Sequence, residues 1–305
     1  MSQSSLERAR VPIPGVILLG LLVLAAGIAF QRERKPSLVF ATPLAAIEGA
    51  LAAKHMSKRA ARLRERCREH DCDCAAEASS AGLDVEALDA VMTILGVAAR
   101  CQPRGPFDGI RAEALVRKND PSAMKESGAV LSKSPSDPHA LYAQALFGYR
   151  MQQFDAARRL AERSRAAGRG TPAVFLAGLV DFAANELDGA RSHFRAVLAA
   201  EPEDVDALFN LGVIAQRQER YGEARANYLR VTRLAPSHEN ARYHLAILAH
   251  SIGAADEARH HLAKFRALGA PGERVRMLET ELARPPAKQP ARVLRLGAAD
   301  DTPPP

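Results

Sequence analysis

The chain of 305 residues is 47% apolar, which is enough hydrophobic side chain for a folded core and argues against a disordered protein. Aromatic residues contribute only 5% and Trp is absent, so the core must consist largely of Ala, Leu and Val, which favours packed helices over sandwiches and barrels. The net charge of +7 is not accompanied by a nucleic-acid reading motif or an aromatic basic face, and we therefore expect no nucleic-acid binding.

The first predicted element is an uncharged apolar stretch at residues 11–30, which follows a short tail at residues 1–10. A helix of this length spans roughly 30 Å, the thickness of the hydrocarbon core of a bilayer. We expect an uncleaved transmembrane anchor. The alternatives are a buried core helix and a cleaved signal peptide, for which Gly27 and Ala29 offer only a poor cleavage site.

The flanking charges do not decide the orientation of this anchor. Two Arg residues precede the apolar stretch and three Lys or Arg residues follow it closely, so the positive-inside rule favours neither side. Nearly the whole protein lies after the stretch, and its cysteines suit an oxidising compartment. We therefore expect a single-pass membrane protein with an extracytoplasmic body, periplasmic if the source is bacterial.

Residues 31–103 are predicted to form a small helical segment that holds all four cysteines. Helices are expected at residues 44–69 and 83–100, the second capped by Asp84, with the string CREHDCDCAAEASSAG between them. An even, clustered set of cysteines beside an export-type anchor suggests two disulfides. The candidates are Cys67, Cys72, Cys74 and Cys101.

The pairing of these cysteines stays open among three arrangements. If the two predicted helices are antiparallel, Cys67 and Cys101 lie at opposite ends, ~25 Å apart, and Cys101 is best reached by Cys72 or Cys74. Free thiols and a metal site are the alternatives to disulfides. The spacing C-x4-C-x-C lacks the paired CxxC knuckles of a zinc site, so we expect no metal.

A basic run, KRAARLRER, lies within the same segment. Three of its cations and the preceding Lys54 are four residues apart, so that Lys54, Lys58, Arg62 and Arg66 share one helix face. Such a run is usually a solvated face, and contact with anionic lipid is the alternative.

Small and bulky residues recur every 34 positions in the second half of the chain. The columns are Gly178, Gly212 and Ala246; Ala190, Ala224 and Ala258; Phe194, Tyr228 and Leu262; and Ala177, Leu211 and Leu245. Pro202 and Pro236 keep the same step and are placed to end a helix, because Pro lacks the amide donor. This period predicts stacked helix–turn–helix units.

These residues resemble the tetratricopeptide repeat, most clearly in DALFNLGVIAQRQERYGEARANYLRVTRLAP. The resemblance implies an all-α solenoid whose neighbouring units share one core. Three copies are expected at residues 171–204, 205–238 and 239–272, and an earlier one at 138–170, so that the repeats together cover 138–272. A divergent copy is expected at 104–137. A polar capping helix at 273–283 and a disordered Pro-rich tail at 284–305 should follow the repeats. Asp181 departs from the family pattern, which usually has a large apolar residue there.

The resemblance also implies a concave groove, lined by the first helix of each unit, that binds extended peptides or partner helices. The residues expected to face it are Tyr142, Leu146, Tyr149, Phe175, Leu179, Phe182, Phe209, Val213, Tyr243 and Ile247. The Lys, Arg and Asn set with which some relatives clamp a terminal carboxylate is missing. The alternative is that an error of one position has turned core residues into a groove.

The chain contains no GxSxG, HExxH, Walker or GxGxxG motif, and its nine His residues are scattered. We therefore expect no enzyme, no catalytic residue and no cofactor. The predicted function is a membrane-anchored scaffold or adaptor that binds another protein or peptide through an apolar helix or strand of that partner. The alternatives are a structural subunit of an envelope assembly, and a redox or metal-binding protein that uses the cysteine cluster.

Overall fold

The computed structural model describes residues 41–53, 57–67, 71–101 and 105–285. This part of the chain is helical, and it contains no strand. The predicted anchor at residues 11–30 and most of the predicted tail, residues 286–305, lie outside the described residues. Within the described ranges, every helix is too short or too polar to cross a bilayer.

Fifteen α-helices follow one another in the described residues. They are α1 (Ala41–Ala53), α2 (Ser57–Arg66), α3 (Cys72–Asp84), α4 (Leu88–Val97), α5 (Gly105–Arg117), α6 (Ala123–Lys133), α7 (Pro138–Arg150), α8 (Phe154–Ser164), α9 (Thr171–Ala183), α10 (Leu187–Ala200), α11 (Val205–Arg217), α12 (Tyr221–Leu234), α13 (Glu239–Ser251), α14 (Ala255–Ala267) and α15 (Gly272–Leu282).

Helices α3 to α14 form six consecutive hairpins, which we number 1 (α3 and α4) to 6 (α13 and α14). Each hairpin turns through one residue with a left-handed backbone, at steps of 33 or 34 residues. These residues are Glu86, Asn119, Gln152, Asn185, Glu219 and Gly253. The amide that follows each of them donates to a carbonyl at the end of the first helix, as Arg220 N does to Ala215 O at 2.8 Å. This is the bond of a Schellman turn, and it repeats in all six hairpins.

Hairpin 1 corrects the prediction for the cysteine segment. Residues 72–82 of the string expected to connect two helices lie in helix α3, and Asp84 is the last residue of that helix instead of an N-cap. The cap is Asp71, whose carboxylate accepts the Cys74 amide at 2.8 Å. The segment is helical because it is rich in Ala, the strongest helix former, and its small residues pack closely on α1 and α4. Clustered cysteines therefore did not mark a loop.

One column of small residues explains how the two helices of each hairpin approach one another. It consists of Ser79, Ala112, Ala145, Gly178, Gly212 and Ala246, all buried. A β-carbon at Gly212 would lie 2.5 Å from the ring of Tyr228, and one at Gly178 would lie 3.0 Å from the ring of Phe194. The 34-residue period in the sequence thus reflects one steric requirement, a small side chain where the two helices of a hairpin are close together.

The ends of the stack are covered by helices of different character. Helices α1 and α2 pack their apolar residues on hairpin 1, with Ile47, Leu51 and Leu63 fully buried. Helix α15 occupies the position predicted for the polar cap. It buries Leu278 against Ala246 and Phe265 of hairpin 6. The hairpins between them bury a continuous series of apolar clusters.

The junction between hairpins 3 and 4 differs from the other junctions. Where neighbouring repeats carry a Pro and an Asp that caps the next helix, residues Arg165–Arg169 prolong α8 as a wide turn. Gly168 and Gly170 adopt positive φ angles of 105° and 66°, a conformation that glycine reaches without strain. The turn directs Arg169 into the protein, where it is buried.

Candidate functional site

Nine of the predicted groove residues lie half-buried on the first helices of hairpins 3 to 6. We call them the groove face: Leu146, Tyr149, Phe175, Leu179, Phe182, Phe209, Val213, Tyr243 and Ile247. They follow spacings of three and four residues along each helix, so they share one side. Part of each side chain remains accessible, and the rest packs on the core.

Three aromatic rings of the groove face contact buried aromatic residues. Phe175 meets Phe194 edge-on with centroids 5.3 Å apart, Phe209 lies 5.8 Å from Tyr228, and Tyr243 lies 5.8 Å from Phe265. The alternative that these are core residues is therefore true for one side of each ring, which packs on the core. Because the rings are held in place, a partner would meet a preorganised surface, with a small cost in side-chain entropy.

Tyr142 is the groove prediction that the structure contradicts. The residue is only 6% exposed, and the guanidinium groups of Arg117 and Arg169 lie 5.0 Å and 5.3 Å from the centre of its ring. The turn before α9 brings Arg169 to this position, which covers the ring. Tyr142 is therefore not part of the accessible groove face.

A buried network of charges surrounds this position. The carboxylate of Glu113, fully buried on α5, accepts two hydrogen bonds from Arg169, both at 2.9 Å, and two from Arg117, at 2.9 Å and 3.1 Å. The Nδ1 atom of His139 lies 2.7 Å from the same carboxylate. Burial alone would raise the pKa of Glu113, but Arg169, His139 and Arg117 outweigh it and hold that pKa far below its usual range.

The network extends to the N-terminal helices through Asp84. One of its oxygens accepts from Arg169 and the other from Arg59 of α2, each at 2.5 Å. These partners are 85 and 25 residues from Asp84 in sequence, so sequence reasoning missed them. The one available signal was Glu113, a carboxylate on the otherwise apolar face of α5.

A polar cleft of about 270 Å³ opens beside the network. It is lined by Arg59, Ser80, Asp84, His139, Gly168, Arg169, Thr171, Pro172 and Glu201. Burial raises the pKa of the Glu201 carboxyl, and the nearby negative charge of Asp204 raises it further, although the hydroxyl of Thr171 and the charge of Arg59 oppose the shift. The cleft thus holds a carboxylate whose charge is incompletely compensated.

The four cysteines lie at the N-terminal end of the stack, away from the groove face. The structure joins Cys67 to Cys74 and Cys72 to Cys101, with Cα atoms 5.0 Å and 5.7 Å apart. The first bond ties α2 to α3, and the second closes hairpin 1. In the described ranges no three His, Cys, Asp or Glu side chains are placed to hold a metal ion.

Residues 175–238 and 214–272 match the model of the tetratricopeptide repeat family. No curated protein sequence matches the chain. Among solved structures, the Pseudomonas aeruginosa pilF protein is similar with a TM-score of 0.56 and 14% identity, over 69% of this chain and 97% of its own.

Two further solved structures share the fold. PilW, a widely conserved type IV pilus biogenesis factor, has a TM-score of 0.55 and 14% identity, over 68% of this chain and 98% of its own. The Cut9–Hcn1 hetero-tetramer of the APC/C has a chain with a TM-score of 0.58 and 14% identity, over 79% of this chain and 49% of its own. At these identities the similarity shows the fold alone. Residues 175–272 thus match tetratricopeptide repeats, and the hairpins that the structure describes share the fold of these solved structures.

Proposed function

We propose that this protein is an adaptor without catalytic activity that captures a segment of another protein on the groove face of hairpins 4 to 6. The observation that carries the proposal is the row of half-buried apolar side chains on successive first helices, held in place by the buried rings behind them. A partner segment with apolar residues at helical spacing would complete the burial of this row. Hairpin 3 contributes less, because Tyr142 is covered.

The second part of the proposal is that residues 11–30 anchor the protein in a membrane and that the body is extracytoplasmic. It is supported by the length of the uncharged stretch and by the disulfides. Extraction of membranes with alkaline carbonate should leave the full chain in the pellet. Release of the chain, or an N-terminus that begins near residue 31, would contradict the anchor.

The groove face is tested by placing a photo-crosslinking amino acid at Val213 in the full chain, in the cells that produce it. The matched control is the same amino acid at Ala226, which is exposed on α12, outside the groove face. We expect one discrete cross-linked partner from Val213 and none from Ala226. Equal cross-linking from both positions, or none from Val213, would contradict the proposal. Co-purification of the partner in fixed stoichiometry would identify a structural subunit instead of an adaptor.

A further inference from the structure

We propose that the polar cleft is a specificity pocket for a basic side chain, Lys or Arg, of the segment that lies on the groove face. This inference rests on the proposed function and deepens it, because it states which chemistry the partner carries beside its apolar residues.

The cleft and the groove face are continuous along α9. Thr171 and Pro172, at the start of this helix, line the cleft. Phe175 follows one turn later on the same side, and Phe182 lies two further turns along, ~15 Å from Pro172. A segment that runs along α9 therefore places one residue in the cleft when its neighbours cover Phe175 and Phe182.

The charges of the cleft favour a cation. Both cations of the lining already have partners, because Arg59 and Arg169 bind Asp84, and Arg169 also binds Glu113. Glu201, by contrast, forms no ion pair with any residue that the structure describes, and it lies near the negative charge of Asp204. An incoming ammonium or guanidinium group would compensate this carboxylate, whereas an incoming carboxylate would be repelled by it.

The size of the cleft suits a single side chain. Its volume of about 270 Å³ lies below the ~300–1,000 Å³ of typical small-molecule sites. Ser80 and His139 also line the cleft and add polar groups to its wall. A Lys or Arg side chain can place its apolar stem beside Pro172 and its charged end at Glu201.

The experiment is a selection of phage-displayed random 12-residue peptides on the purified full chain. It is repeated on Glu201→Lys, and on Glu203→Lys as the matched control, since Glu203 is an exposed neighbour with the same charge that does not line the cleft. Circular dichroism is recorded for each variant, and Glu201→Gln serves as the milder change if Glu201→Lys does not fold.

We expect wild-type peptides to share a Lys or Arg at a fixed distance from two apolar residues. Selection on Glu201→Lys should replace that residue by Asp or Glu, and selection on Glu203→Lys should leave it unchanged. The best wild-type peptide should bind Glu201→Gln about five- to tenfold more weakly, as for a partly buried ion pair.

Two outcomes would overturn the inference in different ways. Peptides that share the apolar pattern but no fixed basic residue would refute the cleft as a specificity pocket and leave the proposed function standing. Failure to select any peptide that depends on the groove face, judged against Val213→Lys, would refute the proposed function together with this inference.

Discussion

Replacing Arg169 by Met would remove the charge that joins three hairpins while keeping most of the side-chain volume. The guanidinium makes two hydrogen bonds to the fully buried Glu113 and one to Asp84, and it lies over the ring of Tyr142. Without it, Glu113 keeps Arg117 and His139 as partners.

Breaking a buried ion pair typically costs about 3–5 kcal/mol, because an uncompensated charge stays in the protein interior. Since Glu113 keeps two partners, we expect a loss at the lower end of this range, a decrease of about 3 kcal/mol in the free energy of unfolding. For a protein of this size that corresponds to a fall in Tm of roughly 6–12 °C. The matched control is Arg165→Met in the same turn, whose exposed pair with Glu162 should contribute at most ~1 kcal/mol.

The assay is thermal unfolding followed by circular dichroism, combined with hydrogen exchange of individual helices. A stack of repeats loses stability locally, so amide protection should fall in α3, α5 and α7 and remain unchanged in α12 and α14. Two results would refute the reasoning. One is a change in Tm as small as that of Arg165→Met, and the other is a uniform loss of protection along the whole stack.

Three further predictions concern other parts of the molecule. Burial lowers the pKa of His244 and of His261 to about 4, from 6.5 in an unfolded chain. Because the unfolded state then binds more protons below pH 6.5, the free energy of unfolding should fall as the pH drops from about 6.5 towards 4. A Tm that is equal at pH 7.5 and pH 5 would contradict this. Gly212→Ala should lower the free energy of unfolding by about 1–3 kcal/mol, because the new methyl group meets a tyrosine ring. Gly128→Ala, which has open space around it, should leave that free energy unchanged or raise it slightly. Chemical denaturation measures both. Peptide mapping by mass spectrometry without reductant should yield linked peptides for Cys67 with Cys74 and for Cys72 with Cys101, and linked peptides of any other combination would contradict the pairing.

The groove face shows how far sequence reasoning about the site can go. Helical spacing, together with the register of the repeat, placed nine side chains on one half-buried surface. The contacts of three of their rings with the buried rings of Phe194, Tyr228 and Phe265 could not be predicted from the sequence, because they depend on how the second helix of each hairpin is rotated. The burial of Tyr142 and the existence of the cleft were equally hidden, since both depend on the turn that carries Arg169.

The sequence by itself determined the all-helical class, the repeating unit and the columns of small residues, because these follow from short-range sterics that recur at a fixed step. The tertiary structure decided that α3 is the first helix of hairpin 1, and that Asp181 tolerates burial by pairing with Arg158 at 2.7 Å and His193 at 2.9 Å. It also decided the partners of Glu113 and Asp84. The physical reason is that a charge is compensated by whichever opposite charge lies nearby in space, and Arg169 is 56 residues from Glu113 and 85 residues from Asp84 along the chain.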